Sequence, residues 1–139
     1  MISARTTYLL LISMATAACS TVGVLTEDRA WAVVEPSIAH QMMLDTPDIT
    51  IFDLRTADEH LGDLGRIDGA ISMPFDTLTE RINELRGYRD KTILVYGDVE
   101  SDVIEGIEGL VEAGCRNIVL IDGGIRNWIE LGYKTVSSP

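Results

Sequence analysis

The residues of this chain that could do chemistry are few: Cys19 and Cys115, His40 and His60, and the carboxylates of Asp98, Glu100 and Asp102. A thiol is a nucleophile when nearby positive charge or helix-terminal N–H groups stabilise its thiolate, and is inert among apolar side chains. Cys115 precedes the apolar run Ile118–Ile121, a setting that predicts core filler in preference to a displaced nucleophile. His40 and His60 have no Ser or Cys partner at a telling spacing, so a Ser–His–Asp arrangement is not favoured. His40 is expected on a helix surface and His60 in a polar loop. Asp98, Glu100 and Asp102 could draw a cation. A calcium loop, however, needs Gly at its sixth position and Glu at its twelfth, where Val103 and Gly109 stand. The expectation is a solvated acidic loop, with no metal and no other cofactor.

Cys19 has a different setting. Arg5 is the one charge among residues 1–18, Tyr8-Leu-Leu-Leu-Ile12 is a short apolar stretch, and small residues precede the cysteine. These are the three parts of a secretory signal. Thr16-Ala17-Ala18-Cys19 resembles the bacterial lipobox, with Thr16 where Leu is usual. The resemblance implies a signal peptide over residues 1–18 and palmitate or related acyl chains on Cys19. It also implies a lipoprotein of a bacterial envelope, periplasm-facing and bound to the membrane through its N-terminal lipid anchor. Acyl chains contribute roughly 0.8 kcal/mol per buried methylene, so several on one cysteine anchor durably. Ser20 resembles lipoproteins sorted to the outer membrane more than those retained at the inner one, which carry Asp there. An ordinary cleaved signal with a chance cysteine, or a short uncleaved helix, are the alternatives. Residues 19–32 read as a lipidated tether.

Positioning elements follow from residue 31 onward. At 139 residues there is room for one ordinary domain. The net charge is −11, and −12 once residues 1–18 are removed. Such a chain lacks the clustered Lys and Arg that neutralise phosphates, which excludes nucleic acid as a partner. No apolar run reaches the ~18–20 residues that span a bilayer. Strands are predicted at Trp31–Val34, Ile49–Leu54, Gly69–Pro74, Thr92–Tyr96 and Ile118–Ile121. Thr92–Tyr96 is apolar on both faces, as a strand inside a parallel sheet is. Helices are predicted from Pro36 to about Asp45 with Ile38, Met42 and Met43 at helical spacing, and weakly over Thr77–Leu85 with Leu78, Ile82 and Leu85 on one face. Two more are predicted over Asp102–Ala113 and over Ile125–Leu131, the latter with Trp128 and Ile129 inward. Asp102 and Glu105 have capping-box spacing, and Gly106 and Gly109 suggest close packing against a neighbour. Alternation of this kind implies an α/β fold: a central, mostly parallel sheet with helices on both faces and functional loops beyond the carboxyl ends of the strands.

Five landmarks then stand in order: Asp53-Leu54-Arg55; Glu59; Gly65 to Pro74 with Gly69-Ala70; the strand Ile93–Tyr96; and Glu112 to Trp128 with Gly123-Gly124, followed by Gly132-Tyr133. The series resembles the rhodanese-like (sulfurtransferase) family over residues 33–136, as a single domain. In that family a cysteine directly after the strand takes a sulfane sulfur as a persulfide and passes it to a thiol or cyanide. Such chemistry needs a thiolate ringed by N–H donors at a helix N-terminus. Here Gly97 stands at the expected position, and the active-loop equivalent Gly97, Asp98, Val99, Glu100, Ser101, Asp102 holds neither Cys nor Arg. Its carboxylates repel an anion and are themselves stabilised by a helix N-terminus, by roughly 0.3–1 kcal/mol each. They are expected to occupy the loop's own N–H donors and close the anion cradle. The resemblance thus implies no catalytic residue, and a structural role for Asp53, Arg55, Glu59, Gly69, Gly123, Gly124 and Trp128, with Asp53 and Arg55 as an ion pair. The expected function is that of a pseudoenzyme: a membrane-anchored binding or scaffold module with an unknown envelope protein as partner. The alternative is a sulfurtransferase or sulfur-relay protein that relies on a partner's thiol.

Overall fold

The computed structural model describes residues 30–137. The predicted signal peptide, Cys19 and the tether through residue 29 lie outside the described residues. Strand β4 (Thr92–Tyr96) is the centre of the molecule. Its side chains alternate, Ile93 and Val95 to one face and Leu94 and Tyr96 to the other, and all four are fully buried. A strand apolar on both sides needs cover on both sides. It pairs in parallel with β2 (Thr50–Asp53) and with β5 (Asn117–Ile121). The short β3 (Ile71–Ser72) joins β2, and β1 (Trp31–Val34) joins β5, which gives the order β1-β5-β4-β2-β3 with every pairing parallel.

Helices α1 (Pro36–Asp45) and α5 (Gly124–Glu130) cover one face, where Ala39, Ile125 and Trp128 meet Ile51, Leu94 and Tyr96. The short α2 (Ala57–His60) and α3 (Ile82–Leu85) lie in the connections. Helix α4 (Glu100–Glu112) covers the other face, with Ile107 and Leu110 against Phe52, Ile93 and Val95. The glycines of α4 let it approach closely. A Cβ at Gly106 would come within 3.0 Å of Leu54 Cδ1, and one at Gly109 within 3.1 Å of Leu78 Cδ1. The resulting packing offsets the ~1 kcal/mol that each glycine costs a helix.

Several local expectations are corrected. α4 begins at Glu100, two residues before Asp102, and its N-cap Val99 makes no side-chain hydrogen bond, so no capping box forms there. The segment predicted as one helix from Thr77 is a 3-10 turn (Phe75–Thr77), then α3, then a second 3-10 turn (Arg86–Tyr88). Ile38, Ile82 and Ile129 point outward, at 51 %, 38 % and 37 % exposure. In α1 the fully buried position is Ala39, and in α5 Ile125 and Trp128 turn inward. Surface isoleucines carry no penalty that a periodicity count can detect.

Candidate functional site

Parallel pairing brings the ends of β2 and β4 level, with Asp53 opposite Tyr96. Asp53 is fully buried, and so needs partners for both carboxylate oxygens. Oδ1 accepts from the Arg55 backbone N–H at 3.1 Å and from Arg55 Nε at 2.9 Å. Oδ2 accepts from Arg55 Nη2 at 2.6 Å, Tyr96 OH at 2.9 Å and His60 Nδ1 at 2.9 Å. An ionised carboxylate only accepts, so His60 carries its proton on Nδ1. Burial alone would raise the Asp53 pKa. The hydrogen bonds from Arg55 and His60, the Arg55 charge and the Tyr96 hydroxyl outweigh it and hold the carboxyl below its ordinary 3.8. Burial and the adjacent Asp53 charge push the Tyr96 phenol well above its ordinary 10.0. Arg55 Nη2 also donates to Gly65 O at 2.8 Å, and Tyr96 OH accepts from Ile67 N–H at 3.2 Å. The network thus pins the loop of residues 61–70 to the strand ends. His60, predicted in a polar loop, is a buried member of it, at 8 % exposure.

Gly97 is the first residue past β4 and is buried. A Cβ built there would overlap Val103 Cγ2. Val103, one turn into α4 and 7 % exposed, therefore fills the space a side chain at 97 would need. The Gly97 carbonyl accepts from Ile125 N–H at 3.2 Å and lies where a Cβ on Gly124 would be. Gly124 has φ +57, so its glycine is required both by conformation and by contact. Between Gly97 and the side chains of Arg55, Thr56, Glu59 and Phe75 remains a cavity of about 20 Å³, room for about one water. Thr56 and Glu59 form a capping box at the start of α2, with Glu59 Oε2 accepting from Thr56 N–H at 3.0 Å.

The acidic loop does not cap its own N–H groups. Both Asp98 oxygens accept from Arg126 of α5, from Nε at 2.6 Å and from Nη2 at 2.7 Å, while Ser101 Oγ donates to Asp102 Oδ1 at 3.1 Å. Arg126, 28 residues away, thus latches α5 to the loop. On the far side of the loop a groove of about 360 Å³ separates Gly97 and α4 from the carboxyl ends of β1 and β5. Asp98, Glu100 and Asp122 line it beside Val33, Ile104 and Leu120. Among the described residues, no three His, Cys, Asp or Glu side chains gather where they could hold a metal ion.

The sequence profile of the rhodanese-like domain matches residues 35–131. The chain belongs to the rhodanese-like domain family. A rhodanese-related protein from Thermoplasma volcanium superposes with a TM-score of 0.65 at 27 % identity, over 77 % of this chain and 99 % of that one. The rhodanese-like domain protein from Staphylococcus aureus gives 0.62 at 21 % identity, over 76 % and 99 % of the two chains, a likeness of fold. The mouse TBC domain-containing protein kinase-like protein is 28 % identical over an alignment of 102 positions that covers 67 % of this chain. This chain spans only 11 % of that relative's length.

Within the rhodanese-like frame, the residues singled out from sequence fall into two groups. Asp53, Arg55, Glu59, Gly97 to Asp102, Gly123 and Gly124 surround the carboxyl ends of β2, β4 and β5. Gly69 sits in the turn before β3, and Trp128 is buried under α1, its Nε1 donating to Lys134 O at 3.1 Å. His40 stacks on Tyr133 at 4.7 Å between ring centroids. Cys115 is buried at 4 % exposure, and burial pushes its thiol up. Sequence reading missed His60, Tyr96, Val103 and Arg126. Only the Thr56-x-x-Glu59 spacing carried a local signal, since it marks the start of α2 and places His60 in its last turn.

Proposed function

We propose that this chain is a non-catalytic rhodanese-like domain, a pseudoenzyme that serves as a binding or scaffold module. The observation that carries the reading is the fit of Val103 into the space beside Gly97. At the position where the family resemblance sets a nucleophilic cysteine there is no side chain, and the room for one is taken. The carboxylates of Glu59 and Asp102 beside the residual cavity add like-charge repulsion against an anionic sulfur donor, while that of Asp98 is paired with Arg126. Acylated Cys19, in this reading, holds the module at a bacterial envelope membrane facing the periplasm, where its partner is an envelope protein.

Thiosulfate-to-cyanide sulfur transfer by the full chain tests the first part. No turnover is expected from the natural sequence, nor from Gly97→Cys alone, where Val103 crowds the new side chain. Gly97→Cys combined with Val103→Ala is expected to accumulate cyanide-labile sulfur after exposure to a sulfane donor. Turnover by the unaltered chain would overturn the reading and favour sulfur relay. Labelled palmitate incorporated in bacterial cells, and lost in Cys19→Ala, tests the anchor.

A further inference from the structure

We propose that the groove between α4 and the ends of β1 and β5 docks a basic segment of a partner protein, one Lys or Arg side chain at a time. The proposal rests on the reading of this domain as a binding module and names the partner's chemistry. At about 360 Å³ the groove matches the size of sites that enclose a small ligand or a side chain with its flanking backbone. Its apolar wall is Val33, Ile104 and Leu120, and its acidic groups are Asp98, Glu100 and Asp122. Asp98 is already committed to Arg126. Glu100 and Asp122 have no ion-pair partner among the described residues.

This pairing of surfaces selects among occupants. An anion meets like charge. A purely apolar ligand would cover two carboxylates without partners, which is costly. A bare metal ion needs ligands that converge, and no such group of three exists among the described residues. A Lys or Arg side chain fits both surfaces, because its methylene stem lies on apolar atoms while its charged head stays with acceptors. The net charge of −11 steers such a partner from a distance. The groove shares Gly97, Asp98 and Val103 with the small cavity that faces Arg55, whereas Val33, Glu100, Ile104, Leu120 and Asp122 belong to the groove alone.

The test is an NMR titration of the full ¹⁵N-labelled chain with a blocked hexapeptide of alternating Arg and Ala. Saturable shifts are expected at the amides of Gly97, Ile104, Leu120 and Gly123, weakening as salt is raised. Glu100→Gln with Asp122→Asn should weaken binding about tenfold, while Asp90→Asn with Glu130→Gln leaves it unchanged. Equal binding of a Glu-for-Arg peptide, indifference to the groove variants, absence of saturation, or the same shifts with Ca²⁺ alone would each overturn the proposal. Sulfur transfer is measured on the same sample. No peptide binding and no turnover defeats the docking proposal and spares the non-catalytic reading; turnover with retained peptide binding does the reverse.

Discussion

Asp53 keeps its charge in the interior because five hydrogen bonds reach its two oxygens. Removing the charge while leaving Arg55 buried at 4 % exposure strands a guanidinium. Asp53→Asn should therefore cost about 3–5 kcal/mol in urea unfolding, the usual result of breaking a buried pair. The same network sets the pH response. Because the Asp53 carboxyl is held below 3.8, its contribution is complete above that value and is lost as pH falls through the lower folded pKa. Tyr96 and Cys115 are raised, so their contributions are complete below 10.0 and 9.0 and fall away as pH rises further. Urea midpoints should therefore drop on both the acid and the alkaline side, and Tyr96→Phe should flatten the alkaline loss that begins near pH 10.0. The Asp53–Arg55 pair was legible because Asp-x-Arg is local. Tyr96 was not, since its hydroxyl meets Asp53 across 43 residues of sequence, and only the register of β2 with β4 creates that contact.

Helix α4 depends on packing more than on its termini. Val99 has the extended backbone of an N-cap, φ −105 and ψ 123, but no side-chain oxygen to accept from the first turn. Val99→Ser should add about 1 kcal/mol, seen as a raised urea midpoint with an unchanged slope. The strands were legible almost to the residue where both faces are apolar, as at Thr92–Tyr96. The start of α4 was not. Asp102 and Glu105 have capping-box spacing, but Glu100 and Ser101 also adopt helical geometry, which places Asp102 inside the first turn. The stretch from Thr77 to Leu85 misled for a related reason. Leu78 and Leu85 are buried as a helical stripe predicts, yet separate 3-10 and α turns deliver them there.

Across the whole molecule, a buried parallel sheet with helices on both faces follows from alternation of element types, and it fixes which loops share the carboxyl end of the sheet. It does not fix what those loops do to one another. The carboxylates of the acidic loop were expected on its own N–H groups. They instead divide between an ion pair to Arg126 and a groove wall, an outcome set by where the first turns of α5 lie relative to the loop after β4. In the proposed reading, the space past β4 is filled by Val103 and fenced by acid groups, and takes no anionic sulfur donor. Calorimetric titration of the full chain with thiosulfate tests this most directly. No measurable heat of binding is expected up to millimolar concentrations. Saturable one-to-one binding at low millimolar thiosulfate, abolished by a bulkier residue at position 97, would contradict it.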